Sequence, residues 1–173
     1  MGYVKYYPSN TQTSAGTADI VYDLLGPNVE LGTPTTLLNQ TNLDTFTDAL
    51  SFNANILQDY GGYPKSSEFY MSIDVSALSG TLEYRFRMER LSSGSTSLNQ
   101  TAYSPVYTTT GIKTHTFTGV TAANGWLWED TDIIHLTTEL RRSAGHGNVS
   151  ITINVNDLDS FVEFRQIRRI NVS

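Results

Sequence analysis

The sequence predicts an all-β protein, an antiparallel jelly-roll-like β-sandwich with an extended N-terminal arm, and three observations carry that prediction. Two central stretches alternate apolar and polar residues with a period of two. Short apolar runs elsewhere are separated by Gly, Pro, Asn and Asp, with no βα alternation. The composition, 39% hydrophobic, 11% aromatic and 16% charged, favours Thr, Ser, Asn and Gly over Lys and Glu, as strands and tight turns require. A chain of 173 residues can bury one good hydrophobic core. It is therefore divided into an arm, residues 1–18, and a single sandwich domain, residues 19–173.

The arm begins with Tyr3, Tyr6 and Tyr7 and continues into the small polar run "TQTSAGT". An extended arm of this kind docks on a neighbour, and aromatic side chains bury large area at protein interfaces, so the three tyrosines are candidate anchors. "DIVYDLL" and "VELGTPTTLL", separated by "GPN", read as strands and a turn. "LDTFTDALSFNANIL" suits a short helix through Leu43, Phe46 and Leu50, or a bent strand through Phe46, Leu50, Phe52, Ala54 and Ile56. The strand is preferred.

The clearest ladder is "SEFYMSIDV", with Phe69, Met71, Ile73 and Val75 on one side and Glu68, Tyr70, Ser72 and Asp74 on the other. After the turn "LSG", "TLEYRFRMER" places Leu82, Tyr84, Phe86 and Met88 inward and Glu83, Arg85, Arg87 and Glu89 outward. That outer charge ladder is expected to be solvated, with cross-strand ion pairs worth about 0.2–1 kcal/mol each. "LSSGSTSLNQTAYSP" reads as a polar loop, followed by the Thr-rich strands "VYTTTG" and "IKTHTFTGV". "DIIHLTTELRR" and "VSITINVN" are two further strands, with Ile134, Leu136 and Leu140, then Val149, Ile151, Ile153 and Val155, on their apolar faces. The glycines of "SAGHGN" between them permit a chain reversal, which makes His146 the tip of a hairpin. The last strand, in "FVEFRQIRRINVS", leaves Arg165, Arg168 and Arg169 available to an acidic partner surface.

Function classes follow from charge and residue inventory. Eleven Lys and Arg against 17 Asp and Glu give a net charge of -6, which repels nucleic acid. Without cysteine there is no disulfide, thiol nucleophile or Cys-based zinc site. The start lacks the apolar core of a signal peptide, and no run approaches the ~20 apolar residues of a membrane helix. Neither a nucleic acid nor a membrane is an expected partner, and synthesis in a cytoplasm is expected.

His115 and His135 lie on strand faces shared with Lys113, or with Thr137 and Glu139, where a solvated sheet surface outweighs a catalytic role. The acidic clusters "WEDTD" and "NVNDLD" are read as Asx-rich turns in preference to calcium loops. No phosphate loop, nucleophile elbow or metalloprotease motif is present. No catalytic residue, metal ligand or cofactor is assigned, and the protein is not expected to be an enzyme. Trp126 and Trp128, two apart in "NGWLWED", would point the same way in a strand and could stack on a sugar ring; Tyr60 and Tyr63 of "DYGGYP" are the accompanying candidates. The competing and preferred reading is that both tryptophans cap the core or a subunit contact.

The ladder from Glu68 to Asp157, with "SIDVSALSGTLEYRFRMERLSSG" and "IIHLTTELRRSAGHGNVSITINV", resembles jelly-roll virion proteins of tailed bacteriophages, in particular head decoration or cement proteins. The likeness is one of texture over the central half of the chain: Thr/Asn/Gly-rich, acidic, cysteine-free, with an arm at the front. It implies a structural protein of the virion that binds the major capsid protein or other virion proteins, as a homo-oligomer with a trimer favoured. A carbohydrate- or receptor-binding module of a tail or fibre, with a glycan as ligand, is the alternative.

Overall fold

The computed structural model describes residues 2–15, 20–25, 35–40, 47–55, 66–94, 96–129, 131–142, 149–153 and 159–166. They form an all-β sandwich of two packed sheets. The strands are β1 (Gly2–Ala15), β2 (Ile20–Leu25), β3 (Thr35–Gln40), β4 (Thr47–Asn55), β5 (Ser66–Ser79), β6 (Leu82–Leu91), β7 (Ser97–Gln100), β8 (Gly111–Thr121), β9 (Ile133–Arg142), β10 (Val149–Ile153) and β11 (Phe161–Gln166). In the first sheet the long strand β5 pairs on one edge with β8 and on the other with β10 and β11, laid end to end. Strand β3 pairs with β10, and β1 with β11. The second sheet runs β1-β2-β4-β9-β6-β7.

Strand β1 belongs to both sheets. Residues Gly2 to Tyr6 pair with β11, and Tyr7 to Ala15 pair with β2. The N-terminal stretch expected to be an arm runs as strand β1 of the sandwich, with its backbone partners among the described residues in the same chain.

Consecutive strands mostly change sheet instead of forming hairpins. The alternation of "SEFYMSIDV" and "TLEYRFRMER" correctly marks two inward faces, but β5 and β6 do not pair; they sit in opposite sheets. The connection is Gly80 and Thr81 alone, and Gly80 adopts φ +79°, a left-handed conformation that glycine reaches without a Cβ penalty. Likewise β9 pairs with β4 and β6, whereas β10 pairs with β3 and β5. Strands β9 and β10 therefore lie in different sheets and do not pair as the hairpin expected of them, which corrects the expectation; "SAGHGN" between them, with His146, lies outside the described residues. The parallel pairing of β2 with β4 follows from the same habit, because parallel neighbours need a crossover and β3 in the other sheet supplies it.

The apolar faces meet as the periodicity requires. Phe69, Met71, Ile73 and Val75 from β5 pack with Leu82, Tyr84, Phe86 and Met88 from β6, and with Ile134, Leu136, Ile151, Ile153, Val162 and Phe164, all buried. Two bulges adjust the phase. Val75 and Ala77 oppose Ile153 and Thr152, so Ser76 is an extra residue in β5 and Leu78 turns toward the core beyond it. In β8 the register slips between Phe117 and Val120, where Gly119 takes φ +79°. Both Phe117 and Val120 are thereby buried, although three residues apart.

The stretch read as a polar loop carries structure. Strand β7 pairs with Glu89 to Leu91. The chain then continues along β6 through backbone bonds from Thr101 to Met88 and Ser104 to Phe86, and a reciprocal pair between Tyr107 and Tyr84. Tyr107 packs on Tyr84 and Phe86, closing the core at that edge.

Candidate functional site

Trp126 and Trp128 do not form a stacking platform. They are 5% and 3% exposed and pack on each other, on Phe69 and, for Trp128, on Phe164. A 3₁₀ turn, Ala122–Asn124, capped by the Thr121 hydroxyl, delivers the segment inward. A period of two puts both rings on one side, and burial of two indoles makes that side the core, while Leu127 between them is 61% exposed. With no ring face open to a sugar, this pair is withdrawn as a glycan site; Tyr60 and Tyr63 lie outside the described residues.

The acidic "WEDTD" is likewise committed to structure. Arg90, in phase with the inward residues of β6, is buried with Asp132, and its Nε donates to Asp132 Oδ2 at 2.5 Å. The same carboxylate accepts the Glu129 N–H at 2.7 Å, and Arg90 donates to Asn99 at 3.1 Å. Asp132 thus closes its own turn and neutralises an arginine at the rim of the core, which satisfies a charge pair that would otherwise be costly to bury. No group of three or more His, Asp or Glu with metal-binding placement occurs among the described residues.

The outer face of β6 and β9 departs from the solvated ladder expected of it. Register sets Glu83 opposite Arg141 and Arg85 opposite Glu139, so charges of opposite sign meet across the strands. Arg85 Nε donates to Glu139 Oε2 at 2.7 Å, and Arg141 Nε to Glu83 Oε2 at 2.8 Å. Tyr103 covers this face, with the Arg85 guanidinium 3.5 Å from its ring centre. Its hydroxyl accepts from Arg87 at 2.7 Å and donates to Glu139 at 2.8 Å. Arg87 also pairs with Glu89, and Gln100 bridges Arg87 and Glu89. Glu89, Thr137 and Glu139 are buried as a result.

His135 shares this face directly opposite Glu89. Burial holds its pKa below the usual histidine value, with Glu89 opposing the shift and Arg87 reinforcing it. His115, in β8, stands edge-on to Phe117 at 4.7 Å, and burial lowers its pKa too. The two histidines lie in different sheets.

The outer face of β1, β11 and β5 has another character. Pairing sets Tyr3 opposite Arg165, Lys5 opposite Glu163 and Tyr6 opposite Val162, so the interface candidates from the two ends of the chain occupy neighbouring strands. Tyr7 follows where β1 passes to β2. The Arg165 guanidinium lies 4.4 Å from the Tyr70 ring centre, and the Lys5 ammonium 4.2 Å from that of Phe161. Tyr70 and Phe161 are themselves 6.0 Å apart. Glu163 pairs with both Arg165 and Lys5, and Glu68 pairs with Arg165 at 3.3 Å. The hydrogen bond to Glu163, ahead of the smaller pull of Glu68, raises the Arg165 pKa above its ordinary value. The sequence pattern singles out Arg165 and the tyrosines but not Lys5, Glu68, Tyr70 and Phe161, which become neighbours only through β-pairing. Arg168 and Arg169 lie outside the described residues.

The fold and these faces define a two-sheet β-sandwich with one interlocked polar face and one aromatic-cationic face. No protein-family model, curated protein or solved structure matches the chain.

Proposed function

We propose that the protein is a non-enzymatic structural component of a bacteriophage particle, a decoration or cement protein that seats on the capsid shell and stabilises it by binding the assembled form. The observation that supports this reading best is the face of Lys5, Tyr70, Phe161 and Arg165. Partly exposed aromatic rings with cations lying over them are the composition of protein-protein hot spots, where Tyr and Arg are enriched. The cation-π geometry also holds each guanidinium or ammonium in place, which lowers the ordering cost on docking.

Because β1 supplies backbone partners to both β11 and β2, removing residues 1–17 would take a strand out of both sheets. Point substitution is the cleaner probe. The test is co-sedimentation of the purified protein with intact phage heads, together with protein analysis of purified particles. The protein is expected in particles at many copies, and the doubly substituted Tyr70→Ala, Arg165→Ala variant is expected to lose co-sedimentation while remaining folded. Absence of the protein from purified particles would sink the reading.

A further inference from the structure

The free edge of β8 is the strongest unassigned feature of the first sheet. Among the described residues β8 pairs only with β5. The ladder to β5 fixes which of its backbone groups point outward. The Asp74 N–H donates to the Ser160 hydroxyl at 3.0 Å, so it points away from β8, and the Asp74/Ile112 pair is not hydrogen-bonded across that ladder. Antiparallel pairs alternate, so Ser72/Thr114 and Tyr70/Thr116 are not hydrogen-bonded either. The N–H and C=O groups of Ile112, Thr114 and Thr116 therefore face the free edge. The Tyr107 hydroxyl donating to Thr114 O at 3.3 Å reaches that carbonyl from outside the sheet, as this assignment requires, and leaves its second lone pair available.

Edge strands are commonly blunted by proline, by outward lysines or by bulges. Between Ile112 and Thr116 this edge has no proline, and its bulge lies farther on, at Gly119. Its lysine, Lys113, is held back by Thr109 Oγ1 and Thr110 O, both at 2.9 Å. Ile112 is 51% exposed, and Thr114 is exposed beside it. Among the described residues the segment is β-branched and, apart from the Tyr107 bond to Thr114 O, has no partner strand on its outer edge.

We propose that this edge binds a second copy of the same chain, β8 against β8 in antiparallel register about a two-fold axis through Thr114, which makes the first sheets of two protomers continuous. The register follows from the side chains. Centred on Thr114, the pairing sets Thr114 opposite itself, Ile112 opposite Thr116 of the other protomer, and Lys113 opposite His115. Thr-Thr and β-branched pairs suit such positions. Centring on Lys113 instead would oppose two ammonium groups. Burial favours the neutral form of His115, so Lys113 meets no like charge. Beyond Phe117 the bulge ends the match, so the contact is short. It is an isologous two-fold contact, distinct from the three-fold assembly expected from the sequence, and it does not depend on the particle reading.

The cysteine-free chain offers a direct test of register. In this pairing the two Thr114 Cα atoms lie about 5.5 Å apart, within disulfide range. Thr114→Cys, treated with oxidised glutathione, is expected to form a covalent dimer, whereas Thr118→Cys is expected to remain monomeric under denaturing conditions. Sedimentation equilibrium of the unmodified protein is expected to show a monomer-dimer equilibrium. Thr114→Lys, which opposes two lysines, and Thr114→Pro, which removes an N–H at an edge where proline is tolerated, are each expected to weaken the dimer at least tenfold with unchanged circular dichroism. A chain that stays monomeric at high concentration, a trimer, or a dimer indifferent to both Thr114 substitutions would overturn the proposal.

Discussion

The two outer faces of the sandwich carry similar residues arranged to opposite effect. On the β6-β9 face arginines and carboxylates stand opposite one another, and Tyr103 covers two of the guanidiniums. Apart from the buried Arg87 Nε, which has no hydrogen-bond partner among the described residues, the charges of the ladder are paired within the chain, and Glu139 is left only 6% exposed. On the β5-β11 face the cations lie over Tyr70 and Phe161, and the Lys5 and Arg165 side chains keep 34% and 27% of their surface. The difference is one of partner chemistry. On both faces a ring supports a cation that also meets a carboxylate, but on the first the Tyr103 hydroxyl additionally bonds Arg87 and Glu139 and so ties ring and charges into one network. The first face is the more interlocked, although Arg141 at its end keeps 39% of its side-chain surface; the second is the one proposed to meet a neighbour.

Breaking the first face should therefore cost stability. Glu139→Ala removes the acceptor of both Arg85 Nε and the Tyr103 hydroxyl, leaving two donors, one of them charged, beneath a covered surface. A loss of about 2–3 kcal/mol is expected, read as a lower denaturant midpoint with unchanged slope. A loss below about 0.5 kcal/mol would mean that the network is solvated after all, as its sequence alone suggested.

The same face should respond to acid. Because burial depresses the His135 pKa, the unfolded chain binds its proton more readily than the folded one. Its contribution to stability is complete above the unfolded value, near pH 6.5, and declines as the pH falls toward the folded value. The melting temperature should fall between about pH 7.5 and pH 5.5, and His135→Gln should flatten part of that fall, with His115 contributing the remainder in the other sheet. An identical pH profile in the variant would remove His135 from the account.

What the sequence revealed of all this depends on what period-two patterning reports. It reports faces directly, so the buried residues of β5 and β6 and the strand character of β4 were legible. It does not name partners. The two-residue crossing at Gly80 and the inter-sheet link between β9 and β10 both resemble hairpins in sequence, because a reversal between sheets needs the same turn residues as one within a sheet. Strand β7 escaped notice because Ser97 to Gln100 bury neither face fully, which leaves no alternation to detect. The pairing within the charge ladder was hidden because Glu139 and Arg141 lie far along the chain from Arg85 and Glu83. For the tryptophans, spacing placed both rings on one side but could not say that the side was the core. The β1-β11 pairing, which unites Tyr3, Lys5 and Arg165, joins the two ends of the chain and has no local signal at all.

The smallest effect on folding is expected where the largest effect on binding is proposed. Arg165→Ala removes ion pairs to Glu163 and Glu68 and a cation-π contact on a partly exposed face, so stability should fall by less than about 1 kcal/mol. Part of that loss is packing of the arginine stem on Tyr70, which Arg165→Lys should retain in some measure. Lysine cannot reproduce the planar fork that addresses two carboxylates at once, so it should rescue the melting temperature better than it rescues binding to heads. If both variants bind heads like the unmodified protein, this face is solvent-facing decoration and the contrast between the two sheets has no functional meaning. If Arg165→Ala instead destabilises the chain as much as Glu139→Ala does, the second face is as interlocked as the first.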